Sequence, residues 1–149
     1  EAEPEQVLAE AQTTDGDVTF TVSVVSGGGR QLELRTFTDG PNGGSGSGQS
    51  VPDLSTNTVA RDLADLGNGD VRGTVLAGII GPGVTAPDVV DAVTGEVITE
   101  GTGPITATLA DSEHVLFLAV LPPGYEDRDL VVVGTTSAGD EVRLRAPAT

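Results

Sequence analysis

The sequence HVLFLAVL (114–121) is apolar at every position after its histidine, and it decides the fold class. A strand with one face in solvent alternates apolar and polar residues, whereas a strand buried on both faces is a continuous apolar run. Pro122, Pro123 and Gly124 end the run at once. We therefore predict a central β-strand that other elements cover on both sides.

The segments around this run have the composition and turn signals of further strands. Toward the C terminus, LVVVGTT (130–136) and EVRLR (141–145) flank a Gly-Asp turn and predict a hairpin. Between Val71 and the central run, strands are predicted over VRGTVLAGIIG (71–81), DVVDAV (88–93), VIT (97–99) and PITATLA (104–110). The second half of the chain is thus expected to consist of short strands separated by Gly and Pro turns.

A hairpin is also predicted in the first half of the chain. VTFTVSVV (18–25) places Val and Phe at alternate positions and Thr or Ser between them, which is the period of a half-buried strand. QLELRTFT (31–38) follows a run of three glycines and has Leu32 and Leu34 opposite Glu33. Strand, glycine turn and strand in this order are typical of a hairpin.

Three segments of the first half do not have a strand pattern. Residues 1–14 are acidic and predict a tether or a short helix, because Val7, Leu8 and Ala11 could line one helix side. Residues 39–57 are rich in Gly and Ser and predict a flexible loop. TVARDLADL (58–66) has apolar residues at helical spacing and predicts a short helix.

Composition excludes several classes of function. The formal net charge is −16, from 23 acidic residues against seven arginines and no lysine. Such a surface repels nucleic acid and anionic lipid and favours a soluble monomer. The chain has no cysteine, so it has neither disulfides nor thiolate sites. We interpret the absence of an initiator Met as a sign of processing or truncation, and no apolar run has the length of a membrane span.

Four segments carry a resemblance to a known kind of module: GIIGPGVTAP (78–87), AVTGEV (92–97), FLAVLPPG (117–124) and VVVGTTSAGDEV (131–142). Together they resemble the small immunoglobulin-like β-sandwich ectodomains of actinobacterial membrane-anchored envelope proteins, including those on anti-sigma factors. The resemblance implies an extracytoplasmic domain behind an anchor that this chain lacks, and it carries over no catalytic residues.

Pattern and resemblance together give the expected fold. We predict a single all-β domain over residues 15–149, an antiparallel immunoglobulin-like β-sandwich of about eight or nine short strands with one or two short helices.

His114 is the only histidine, and it follows Asp111, Ser112 and Glu113. Adjacent residues cannot face one another in triad geometry, so we interpret His114 as a structural residue at a strand end. A chain without lysine cannot hold the Gly-Lys-Ser/Thr of a phosphate loop. We therefore predict no catalytic and no nucleotide-binding residues.

Calcium is the inorganic ligand that the composition suits best, because oxygen ligands are plentiful. The candidate ligands cluster around two glycines and are Asp62, Asp65, Asn68 and Asp70. Their spacing is not that of an EF-hand, and solvated turn acids are the favoured reading of them.

Tyr125, in PPGYEDRD, is the aromatic residue that we expect at the surface. It is either a contact residue on a loop or a packed tyrosine at a strand corner, and the second reading is favoured.

Three functional hypotheses remain open. The first is a non-enzymatic extracytoplasmic domain for sensing, protein interaction or spacing, whose partner is a protein or another component of the cell envelope. The second is a calcium-stabilised adhesin-like domain. The third is a hydrolase that uses dispersed carboxylates, although sugar sites usually carry more aromatic platforms than this chain offers.

Overall fold

The computed structural model of the chain describes residues 6–27, 32–41, 43–65, 72–109 and 112–148. These residues form eleven strands and no helix: β1 Gln6–Asp15, β2 Val18–Ser26, β3 Leu32–Gly40, β4 Gly43–Val51, β5 Thr58–Asp65, β6 Arg72–Ile80, β7 Asp88–Asp91, β8 Thr102–Thr108, β9 Val115–Leu121, β10 Leu130–Thr135 and β11 Glu141–Ala146. The described part is therefore all-β, as predicted, with more strands than expected. Over the same ranges, no helix has the length and hydropathy of a membrane span.

The strands form three antiparallel sheets. The first sheet has the order β1-β2-β3-β4, the central sheet β5-β6-β9-β8, and the third sheet β11-β10-β7. In the first sheet each strand pairs with the next along the chain, whereas β9 pairs with both β6 and β8. The first sheet packs on the central one through β1 and β2, and the third packs on it through β11.

Strand β9 lies between two hydrophobic cores. Its residues Leu116, Leu118 and Val120 belong to the core shared with the first sheet. The residues between them, Phe117 and Ala119, belong to the core shared with the third sheet. All five are at most 1% exposed. The prediction of a strand covered from both sides is confirmed, and the central sheet is the middle of three layers.

The predicted hairpin in the first half is also confirmed. Strands β2 and β3 pair in register from Thr19↔Asp39 to Ser26↔Leu32. Buried side chains alternate along β2 with half-buried ones, and Phe20 is 1% exposed. The alternation arises because one face of this sheet packs on the central sheet.

The strand predicted over 97–99 is wrong in the structure. Val97 makes an isolated antiparallel bridge to Val90 of β7, and the N–H of Ile98 donates to the carbonyl of Val89 at 2.8 Å. The β10 strand pairs with the other edge of β7, from Leu130↔Asp91 to Val133↔Asp88. The segment after the turn bonds to β7 over too few residues to form a strand of its own.

The helix predicted over 58–66 is wrong, because residues 58–65 are strand β5. It pairs with β6 from Thr58↔Ile79 to Asp65↔Arg72. Ala60 and Ala64 pack toward the first core, and Val59 packs toward the second. The strand has apolar residues on both faces, so its sequence lacks the alternation of a half-buried strand and fits helical spacing. Pairing with β6 overrides the weak helical preference of so short a segment.

The tether or short helix predicted over residues 1–14 is wrong from residue 6 onward, and residues 1–5 lie outside the described residues. Residues 6–15 form β1, which pairs with β2 along its length. The register shifts between Val7 and Ala9, so the buried positions do not alternate strictly. Ala9 and Ala11 are buried while Val7 is 57% exposed. This bulge explains why the apolar spacing looked helical.

The prediction of a flexible loop over residues 39–57 is wrong where strand β4 lies. This strand pairs with β3 from Leu32↔Val51 to Gly40↔Gly43. Side chains of β3 cover the glycines of β4. A Cβ atom placed on Gly44 would lie 2.8 Å from Cζ of Phe37, so the ring lies across that glycine. An aromatic residue that covers a glycine on the next strand replaces the packing that the glycine lacks. The glycines therefore suit a strand here, whereas in isolation they resemble a linker.

Candidate functional site

Ser112 and His114 have structural contacts. The Ser112 hydroxyl donates to the carbonyl of Leu54 at 3.2 Å and accepts from the backbone N–H of His114 at 3.1 Å. His114 is 7% exposed, and a Cβ atom placed on Gly81 would lie 2.8 Å from its Cγ. The serine thus ties the start of β9 to the segment after β4, and the imidazole packs on a glycine. Asp111 lies outside the described residues.

The four candidate calcium ligands are only partly described. Asp62 lies on β5 and is exposed, and both of its side-chain hydrogen bonds fall on Oδ2, from Ser47 at 3.0 Å and Thr36 at 3.3 Å. Asn68 and Asp70 lie outside the described residues, as does the side chain of Asp65. In the part of the chain that the structure describes, no three acidic or histidine side chains converge as a metal site would require. The calcium hypothesis stays a prediction.

Tyr125 combines features of both readings made from the sequence. Its ring packs against the core between the central and third sheets and is half-buried. Its hydroxyl donates to Oε2 of Glu100 at 3.0 Å. The guanidinium carbon of Arg128 lies 5.6 Å from the ring centroid, within the range of a cation–π contact. Tyr125 is therefore a packed corner residue whose polar edge reaches the surface.

Arg128 also joins this corner to β7. Its Nη1 lies 3.0 Å from Oδ2 of Asp91, and the Asp91 side chain is 5% exposed. The other carboxylate oxygen accepts from the backbone N–H groups of Val93 at 2.9 Å and Thr94 at 3.1 Å. Asp91 is not among the site residues that the sequence predicts. An aspartate directly before a turn is the signal that could have found it.

The pocket beside Tyr125 is small and charged. Its volume is about 80 Å³, and carboxylates of Asp91, Glu96 and Glu100 line it together with Arg128. Small-molecule sites usually have volumes of roughly 300–1,000 Å³ and mostly apolar walls. This corner therefore has the geometry of a structural network rather than of a ligand pocket.

Tyrosine titration tests the Tyr125 contact directly. The hydrogen bond to Glu100, with a smaller contribution from burial, raises the pKa of Tyr125 above its usual value. The chain has one Tyr and no Trp, so absorbance at tyrosinate wavelengths reports this residue alone. We expect the folded protein to ionise above the pH of about 10 seen for free tyrosine, and the urea-unfolded chain to ionise near it. Glu100→Gln should lower the midpoint, and equal midpoints for folded and unfolded protein would contradict the contact.

The stability of the Asp91 turn should depend on pH. Backbone N–H groups of Thr94 and Val93, and then Arg128, lower the pKa of Asp91. A carboxyl group whose pKa is lower in the folded state stabilises the protein above its unfolded pKa of about 3.9, and this contribution disappears as the pH falls through the folded value. Asp91→Asn should therefore be less stable than the parent at pH 7, and the difference should shrink below about pH 4.

Urea unfolding of both proteins from pH 7 to pH 2 measures that difference. The matched control is Glu141→Gln, since Glu141 forms an exposed ion pair with Arg143 and should matter little at any pH. If the difference in unfolding free energy between Asp91→Asn and the parent stayed constant from pH 7 to pH 2, the stability of the turn would not depend on the ionisation of Asp91.

A second region of interest is the β4–β5 cleft, the opening between the edges of the first and central sheets. Ser47, Thr36 and Asp62 lie at its centre, and two cavities of about 160 and 330 Å³ adjoin them. At its far end the Gln49 side chain donates to the hydroxyl of Thr58 at 3.0 Å. Polar contacts rather than apolar packing thus join the two sheets at this side. The sequence predicts a strand at Thr36, a loop at Ser47 and Gln49, and a helix at Thr58 and Asp62, so it does not bring them together.

The Arg61 side chain extends from the opposite face of β5, toward the third sheet. Its guanidinium donates to the carbonyls of Ala146, Tyr125 at 2.8 Å and Glu126 at 3.2 Å. Burial lowers the pKa of Arg61, while the nearby carboxylates of Asp129 and Glu126 oppose that change. One side chain therefore fastens the last strand and the loop after β9 to the central sheet. The sequence gives no signal for it, because its acceptors are backbone carbonyls far along the chain.

Neither the protein families, nor the curated proteins, nor the solved structures compared with this chain provide a match.

Proposed function

We propose that this chain is a non-enzymatic extracytoplasmic domain that acts through sensing, protein interaction or spacing. The observation that supports it best is how the reactive side chains are used. Ser112 and the backbone of His114 close the start of β9. Asp91 holds a turn with one carboxylate oxygen and Arg128 with the other. Groups engaged in this way stiffen the fold and leave little freedom for proton transfer.

The surface chemistry fits the same proposal. A formal charge of −16 keeps a domain soluble and separate from anionic lipid and nucleic acid. The partner we propose is a protein or another envelope component, met by a monomer of this chain. The resemblance to envelope ectodomains supports the location.

Protease accessibility in intact cells tests the location. A tagged full-length protein is expressed in its native host, the cells are treated with an external protease, and membrane and soluble fractions are separated. We expect the domain to fractionate with the envelope and to be cleaved without lysis. A cytosolic protein of known location, left intact in the same samples, is the control. Recovery of the domain as a protected cytosolic protein would contradict the proposal.

A further inference from the structure

The three sheets have six edge strands, and five of them carry features that hinder pairing with another chain. Strand β1 has its register shift between Val7 and Ala9. Strand β8 has a register shift between Thr102 and Ile105, and Pro104, which has no N–H to donate, lies inside it. Bulges and prolines of this kind interrupt the regular row of main-chain groups that an incoming strand needs.

The edges β5, β7 and β11 are short or charged. Strand β7 spans only Asp88–Asp91 and has an acid at each end. Strand β5 has Arg61 and Asp62 at adjacent positions, so each face of this edge carries a charge. Strand β11 alternates charged residues along Glu141–Ala146. Charges on an edge oppose its burial against another strand.

Strand β4 has none of these features. Its nine residues, GGSGSGQSV, include no charge and no proline. The pairing with β3 runs without a register shift, and within the described ranges β4 pairs with β3 alone. One side of its backbone therefore presents a regular, unpaired row of N–H and C=O groups, the template that strand addition uses.

Each face beside this edge offers a different side chain to an added strand. On the outer face the Phe37 ring, 48% exposed, lies across Gly44 and Gly46. On the inner face Ser47 contacts Asp62 of β5, which places a carboxylate in the β4–β5 cleft. Successive residues of an added strand alternate between these faces. A cationic side chain suits both positions, through its charge at Asp62 and through a cation–π contact at Phe37.

The charge of the whole chain favours the same occupant. At −16 the domain attracts a basic segment and repels a second copy of itself. We propose that the free edge of β4 binds an extended, basic segment of a partner protein by strand addition. This inference rests on the proposed interaction role and specifies its surface and its partner chemistry.

The probe is a synthetic peptide that alternates arginine and valine over the length of β4, titrated into the full chain by calorimetry and by amide NMR. We expect saturable binding, with the largest amide shifts in Gly43–Val51 and its neighbour β3. Methylating alternate peptide nitrogens keeps the charge and removes main-chain donors. Loss of several main-chain hydrogen bonds should weaken binding at least about tenfold.

Protein variants separate strand addition from general attraction between charges. Ser50 is exposed on β4, and Ser50→Lys places on this edge the residue that natural edges use against pairing. Thr106→Lys makes the same charge change on the exposed surface of β8 and serves as the control. We expect Ser50→Lys to weaken the peptide about tenfold and Thr106→Lys to have a much smaller effect. Melting temperatures check that both variants stay folded.

The inference would be overturned by an absence of binding, by equal binding of the methylated peptide, or by amide shifts spread over the acidic surface. Concentration-dependent dimerisation through β4, seen by sedimentation, would overturn it too, since a second copy would then occupy the edge. If the domain is exposed in the envelope and the peptide does not bind, this inference is wrong and the proposed location stands. Peptide binding by a cytosolic protein would instead remove the proposed location.

Discussion

Phe117→Ala is expected to lower the free energy of unfolding by about 3–5 kcal/mol, which would leave little of the stability of an ordinary domain. Phe117 is fully buried and belongs to the core between the central and third sheets. Truncation loses the free energy gained when the aromatic ring moves from water into the core. It also leaves a cavity that the rigid strands on both sides cannot fill. Urea unfolding followed by far-UV circular dichroism measures the loss.

The matched control is Phe37→Ala. Phe37 is 48% exposed, and its ring packs on the glycines of β4. Cross-strand contacts of this kind contribute roughly 0.2–1 kcal/mol. If the two variants proved equally stable, Phe117 would not lie in a closed core, and the third sheet would not cover the central one.

Gly78→Ala is expected to destabilise the protein by about 3 kcal/mol, because the added methyl group has no space. A Cβ atom placed on Gly78 would lie 2.0 Å from the carbonyl oxygen of Thr58 and 3.0 Å from Cζ of Phe117. The first of these atoms is backbone of the paired strand β5, so relief requires β5 to move away from β6. A clash with backbone costs more than one with a flexible side chain.

Gly27→Ala is the control for this substitution. A Cβ atom placed on Gly27 would meet nothing within 4 Å. Replacing a glycine by alanine at an open position of ordinary backbone conformation is neutral or slightly stabilising, since it restricts the unfolded chain. Thermal unfolding of both variants compares them. Equal melting temperatures would mean that β5 is not held against β6 at Gly78.

Elements whose pattern reflects burial could be predicted from the sequence. In VTFTVSVV (18–25) the alternation mirrors one buried face, and in HVLFLAVL (114–121) the unbroken run mirrors two. Strands β10 and β11 were predicted for the same reason, with a Gly-Asp turn between them. In each case the physical cause lies in the segment itself, because its own side chains form the cores.

Strands β1, β4 and β5 could not be predicted, because their partners determine them. A bulge in β1 and apolar residues on both faces of β5 removed the alternation that marks a strand. The glycines of β4 depend on Phe37 and Glu33 of the neighbouring strand, whose side chains cover them. None of these causes is visible within the segment.

The residues of the candidate sites divide in the same way, according to whether their own segment or a distant partner determines their contacts. Tyr125 was selected for its turn context, and the structure gives it both a packed ring and a polar edge. Asp91 and Arg128 are 37 positions apart in the sequence, so their ion pair depends on the fold that brings β7 to the loop after β9. The β4–β5 cleft needs two strands that the sequence did not reveal.

Methyl and aromatic NOE spectroscopy shows whether the middle sheet separates two cores. Adjacent residues Phe117 and Leu118 point to opposite sides of β9. We expect Leu118 to show NOEs to methyl groups of the first sheet, such as those of Val22, and the Phe117 ring to show NOEs to the third sheet, such as those of Val132. NOEs from both residues to the same sheet, or none from Phe117 to the third sheet, would contradict the three-layer fold.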